Sequence, residues 1–197
     1  MSPEFFWEDT MAEEKKNENI ANDDRFLKTR SIMLCGEINE EASEKFARQL
    51  LVLENENDKP IYVFIDSPGG DVNAGYAIFD MIRFVNNEVF LIGMGLVASA
   101  AALILLSGDK EHRLGLPNSS YLIHQPLSKM KGVASDIEIH AKQLEETRNR
   151  INREISRQTG NSFEKVEKDT DRDNWMDAET AIEYGLISKI ITNRSGL

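Results

Sequence analysis

At 197 residues, with 41% hydrophobic and 29% charged side chains, the chain has the size and composition of one soluble domain with its own core, which excludes collagen-like, low-complexity and disulfide-framework architectures. Twenty-three Lys and Arg against 34 Asp and Glu leave a net charge of −11, which argues against a nucleic-acid-binding face. The single cysteine, Cys35, cannot form an internal disulfide, no Cys/His metal-ligand spacing occurs, and a reducing cytoplasmic compartment is the simplest reading.

Residues 1–24 hold eight of the acidic residues and two lysines, over half of the net charge. The segment lacks the basic start and apolar run of a signal peptide, and it reads as a disordered acidic leader. Its Phe5-Phe6-Trp7 cluster reads as exposed aromatics, with a short docking motif as the alternative. Residues 25–197 read as a single domain without linker or repeat.

Ser31–Leu34 predicts a short strand. Asn39–Leu53 carries Ala42, Phe46, Leu50 and Leu53 at helical spacing, with Asn39 as N-cap. Ile61–Ile65 is an unbroken apolar run, the mark of a strand covered on both faces. Asp66–Asp71 predicts a turn, and Val72–Phe84 a helix with Ala74, Ile78, Met81 and Ile82 inward. Val89–Gly108 is twenty residues without a charge, long enough to span a bilayer. Gly93 and Gly95 interrupt it, and no basic cluster orients it. A buried strand Val89–Ile92, a glycine turn and a buried helix Ala98–Ser107 fit better.

Farther on, Glu111–Leu116 and Ser120–Ile123 predict strands. Val133–Gln158 predicts a long helix stopped at Thr159-Gly160, and Ser162–Lys168 a short one. Asp177 caps a helix to Tyr184, and Ile187–Ile191 closes the chain as a strand. This alternation predicts an α/β fold with a mostly parallel sheet and right-handed crossovers.

Two glycine turns each follow an apolar strand and precede a helix: Ser67-Pro68-Gly69-Gly70 and Gly95 to Ala101. In α/β layers ligands bind at the carboxyl ends of strands, where helix starts offer spare N–H donors. A turn presenting Ser99 at a helix start therefore supplies both a nucleophile and an oxyanion hole. Gly93 and Gly95 do not make a dinucleotide fingerprint, because no acidic residue ends a following strand at the expected distance, and no P-loop occurs. Of the three histidines, His112 sits among charges and reads as solvated, and His140 lies mid-helix. His124 follows a strand, where it could serve Ser99 as a base. A carboxylate partner could be any of Asp169, Asp171 and Asp173, and Arg172 could pair among them.

From about Phe26 onward the chain resembles the proteolytic subunit family of the Clp protease (ClpP). The resemblance is carried by FIDSPGGDVNAGYAIFD (64–80), GLVASAAALIL (95–105), LPNSSYLIHQPL (116–127), DIEIHA (136–141) and EKDTDRDNWMDAETAIEYGLIS (167–188). It implies a ClpP/crotonase-like fold with a protruding handle helix, and a Ser-His-Asp peptidase with Ser99, His124 and Asp173 as triad and Gly70 and Ala100 as oxyanion donors. It also implies stacked seven-membered rings, with Asp171 and Arg172 bridging them. A second ClpP-type paralogue is a candidate ring partner. A separate AAA+ unfoldase ring such as ClpX, ClpA or ClpC would deliver polypeptide substrates and use the ATP. No metal, cofactor, nucleic acid or membrane is expected.

Three departures stand against the family pattern. Ala101 replaces a glycine after the nucleophile and would resist a positive φ. Asp71 follows the Gly-Gly pair and would oppose an oxyanion if it pointed inward. The leader is unlike the usual axial segment. They suggest a divergent paralogue and, as an alternative to an active endopeptidase, a weakly active structural or regulatory ring subunit. A crotonase-type acyl-CoA enzyme is the third reading, since that superfamily shares the fold.

Overall fold

The computed structural model describes residues 25–197. The leader and its aromatic cluster lie outside the described residues. Seven strands form one sheet: β1 (Ser31–Ile38), β2 (Ile61–Gly70), β3 (Val89–Ala98), β4 (Arg113–Gly115), β5 (Ser120–Ile123), β6 (Asn174–Asp177) and β7 (Lys189–Ile190). The order is β1-β2-β3-β4-β7, and β5 branches from β3 to carry β6. All pairings are parallel except β5–β6. The α/β fold with a mostly parallel sheet is as the sequence predicts.

Helices α1 (Glu40–Glu56), α2 (Val72–Phe84) and α3 (Ala100–Leu105) cross between the first strands. Asn39 caps α1 by accepting from Ala42 N–H at 2.9 Å, and Phe46, Leu50 and Leu53 bury its apolar stripe. Each such side chain contributes on the order of 2 kcal/mol of burial. On α2 the buried set is Ala74, Ile78 and Ile82 with Tyr76 and Phe79, while Met81 is only partly covered. The charge-free stretch becomes β3 and α3, and α3 is buried along its whole length. Among the described residues no helix is long and apolar enough to cross a membrane.

Several boundaries differ from expectation: β1 runs on past Leu34 to Ile38, while β4 and β7 are shorter than the strands predicted over 111–116 and 187–191. Strand β2 continues through the expected turn to Gly70, because β1 keeps pairing with it up to Ile38↔Gly70 after an irregularity between Cys35 and Glu37. Backbone pairing needs no apolar side chain. It is also covered fully on one face only: Ile61, Val63 and Ile65 are buried, whereas Tyr62 and Phe64 are half-exposed on the other. Strand β3 likewise runs to Ala98, and α3 starts two residues late because Ser99 has φ 56°, which no helical residue adopts. The antiparallel β6 was not expected at all.

The long helix α4 (Ala134–Thr159) ends at the left-handed Gly160, followed by α5 (Phe163–Asp169) capped by Ser162. Only Ile151, Asn152 and Ile155 of α4 are buried, so its C-terminal part docks and its N-terminal part stands free of the domain. Helix α6 (Ala178–Tyr184) is capped by Asp177 and closed by left-handed Gly185.

Candidate active site

The register of three strands assembles the site. Ala98 of β3 pairs with Leu122 of β5, so Ser99 leaves one strand as Ile123-His124 leaves its neighbour. The Ser99 N–H donates to Leu122 O at 2.9 Å and fixes that relation. Ile123 pairs with Asn174 of antiparallel β6, and the next residue on each side is His124 and Asp173. Their contact is His124 Nδ1 to Asp173 Oδ1 at 3.4 Å. Of the three candidate carboxylates, the structure brings Asp173 to the histidine. Asp169 pairs with Lys165 at 2.6 Å, and Asp171 lies 3.6 Å from Arg148.

Ser99 is half-buried at φ 56°, ψ −121°, one of two non-glycine residues with positive φ among the described residues. Such a conformation stores strain of about 1–3 kcal/mol and is typical of functional turns. Ser99 and His124 line one cavity of about 20 Å³, room for about one water, walled by Ala102, Leu103, Ile123, Ile151 and Ile155. No hydrogen bond joins the two side chains among the described residues. Apo sites are often loose in this way.

The two glycines at the end of β2 bring its backbone against the serine turn. A Cβ on Gly69, which has φ +90°, would lie 2.7 Å from Ser99 Cβ and 3.0 Å from Ala100 N. Only glycine allows that approach. Ala100 begins α3, so its N–H has no acceptor within the helix. The last residue of β2, Gly70, lies next to this contact.

Two of the expected departures lose their force. Ala101 is fully buried inside α3, and its φ is not positive, so a β-carbon there costs nothing. Asp71 caps α2: its Oδ1 accepts from Ala74 N–H at 2.8 Å, turning the carboxylate to the helix start. His112 is not simply solvated; it is half-buried with its ring 4.2 Å from that of Phe90. His140 is exposed on α4. Arg172 is 91% exposed, with Asp171 its neighbour at 3.9 Å. Thr170, Arg148 and Gln125 surround the aspartate loop and were passed over in the sequence, because they are ordinary polar residues at unrelated positions. Among the described residues no group of three or more His, Cys, Asp or Glu side chains could hold a metal ion.

A family model described as Clp protease matches residues 13–194, beginning within the stretch read as leader. The ATP-dependent Clp protease proteolytic subunit 2 of Treponema denticola is 60% identical over 191 residues, covering 94% of each chain. The protein of the same name from Borreliella burgdorferi is 51% identical over 169 residues, covering 85% of each. Among solved structures, a ClpP1 point mutant from Listeria monocytogenes superposes with TM-score 0.83 at 45% identity, covering 88% of this chain and 97% of that one.

Proposed function

The chain belongs to the Clp protease family, and from that premise we propose that Ser99, His124 and Asp173 are its catalytic triad and that the Gly70 and Ala100 N–H groups form its oxyanion hole. Its activity is that of a serine peptidase subunit hydrolysing peptide bonds. The observation supporting the residue assignment is the β3–β5–β6 register, which sets Asp173 beside His124 and His124 beside the strained Ser99.

Ser99 Oγ attacks the peptide carbonyl while His124 Nε2 takes its proton. The tetrahedral oxyanion accepts from the Gly70 and Ala100 N–H groups. His124 then returns the proton to the leaving amine, and water hydrolyses the acyl-enzyme by the same route in reverse. Asp173, on Nδ1, holds the imidazole tautomer and stabilises the imidazolium. Each oxyanion donor is worth about 10²–10³ in turnover. These groups supply the whole acyl transfer, so the mechanism calls for no metal or cofactor.

The subunit assembles with copies of itself, or with a second paralogue, into stacked seven-membered rings. A separate AAA+ unfoldase ring such as ClpX, ClpA or ClpC feeds polypeptides to a closed cytoplasmic chamber. Supporting this are the exposed Val133, Ile137 and Ile139 on and beside α4, and the exposed Arg172 beside Asp171 as ring-bridging pair. The relatives are named ATP-dependent, while this sequence has no P-loop, which puts the ATPase on another chain. Relatives named subunit 2 and subunit 3 suit a paralogue. The loose His124–Asp173 contact favours a second, regulatory reading, in which the subunit is weakly active until it assembles.

A fluorophosphonate probe tests the assignment. Ser99 is the labelled residue, and Ser99→Ala loses all labelling; label retained in that variant would overturn the triad. Labelling of the isolated subunit at the rate of the assembled one would remove the regulatory reading.

A further inference from the structure

Beyond the triad, one residue closes the loop that carries Asp173. The regular β5–β6 ladder ends at Ile123↔Asn174. The next backbone bond between the two segments runs from Gln125 N–H to Thr170 O at 2.6 Å. In this interval one residue, His124, faces three: Asp171, Arg172 and Asp173. Asp173 therefore sits in a bulge whose far end is closed by Gln125. The Gln125 side chain adds a second tie, with Nε2 donating to Asp171 O at 2.5 Å and lying 3.4 Å from Asp171 Oδ1.

The other side of the closure is fixed. Thr170 is fully buried, and its hydroxyl lies 2.9 Å from both Asn152 Oδ1 on α4 and Val166 O on α5. Arg148 of α4 stands 3.6 Å from Asp171 Oδ1. Thr170 is a post anchored in the base of α4, and Gln125 binds the histidine's strand to it. Asp173 itself is 61% exposed in its side chain, and among the described residues its side chain pairs with His124 alone. Its position is thus set by the backbone of its bulge.

We propose that Gln125 is a positioning residue for the peptidase: its paired donation to the carbonyls of Thr170 and Asp171 sets the His124–Asp173 distance. The proposal rests on the triad reading above. A Glu would present a carboxylate to Asp171 O beside two further acids, and an Asn would fall short by a methylene.

The test is a double-mutant cycle on the whole assembled protein, using the rate of fluorophosphonate labelling and of peptide hydrolysis. Gln125→Met should slow both about 10–100-fold, mostly in kcat, with KM little changed. In an Asp173→Ala background the same change should cost less than about twofold, since what Gln125 positions is gone. Equal losses in both backgrounds would mean a general structural role and overturn the proposal, as would an unchanged Gln125→Met. Failure of the parent protein to label at Ser99 would instead sink the triad reading, which keeps the two outcomes apart.

Discussion

Asp71 shows how one residue's local duty decides whether it can interfere with chemistry next door. Its carboxylate is exposed and bound to Ala74 N–H, where the positive end of α2 also attracts it. A charge so engaged acts on the helix rather than on the oxyanion formed against Gly70. Asp71→Ala should therefore lower unfolding free energy by about 1 kcal/mol, and Asp71→Ser should restore most of it, with turnover in both within about twofold of the parent. Urea unfolding and peptide hydrolysis measure the two effects. A large gain in rate on removing the carboxylate would show that it does oppose the oxyanion. Ala101 belongs to the same scale: inside a helix, alanine is better than glycine by about 1 kcal/mol, so a substitution that looks damaging from its neighbours in sequence is benign in place.

At the scale of elements, the site depends on where strands stop. The apolar cores of β2 and β3 were legible, as were α1, α2, α4 and α6 with the caps Asn39 and Asp177 and the stop at Gly160, because periodicity and capping are local signals. The ends of β2 and β3 were not, since Gly69, Gly70 and Gly95–Ala98 extend as strands only through partners far away in sequence. Ser99 and His124 were accordingly found from their turns, but Asp173 could not be chosen from spacing. The choice depends on Asn174–Asp177 lying antiparallel to β5, and a four-residue strand with two polar ends has no pattern of its own.

The junction of β3, β4 and β5 also contributes to the alkaline limit of the fold, alongside Tyr76 and Tyr184, whose hydroxyls burial likewise pushes up. Tyr121 is fully buried there, its hydroxyl 2.9 Å from Ser119 Oγ and packed against Gly93 and Gly115, where any β-carbon would strike it. Burial pushes its pKa up to about 12. The unfolded chain ionises this tyrosine near its ordinary value of about 10. Stability is therefore intact below about pH 10 and falls as pH rises towards 12, by up to about 3 kcal/mol. Tyr121→Phe should flatten that decline in denaturant titrations run from about pH 9 to 12; an equally steep decline in the variant would place its origin in other groups.

For the whole molecule, the distribution of charge and the stance of α4 matter most. The 173 residues after the leader carry a net of only −5, so the acidity seen in the total is concentrated in the first 24. The domain body is mildly charged and closes around a single main core, to which α4 contributes only from Ile151 onward. Residues 134–143 are all exposed, and Val133 supplies no side-chain cap at the helix start. An uncapped helical arm of about ten residues is marginal in water.

In the proposed assembly, that bare arm makes order a function of concentration. In a lone subunit its amides should exchange with solvent almost as fast as an unfolded peptide's, while those near Ile155 exchange slowly. In the assembly proposed above, contacts covering Ile137 and Ile139 would supply by mass action what the arm lacks in itself. Deuterium uptake at residues 134–143 should therefore slow as protein concentration rises, with no change at β2 or β3, and uptake independent of dilution would contradict this. The arm thus reports, through its own folding, how crowded the subunit is with its own kind.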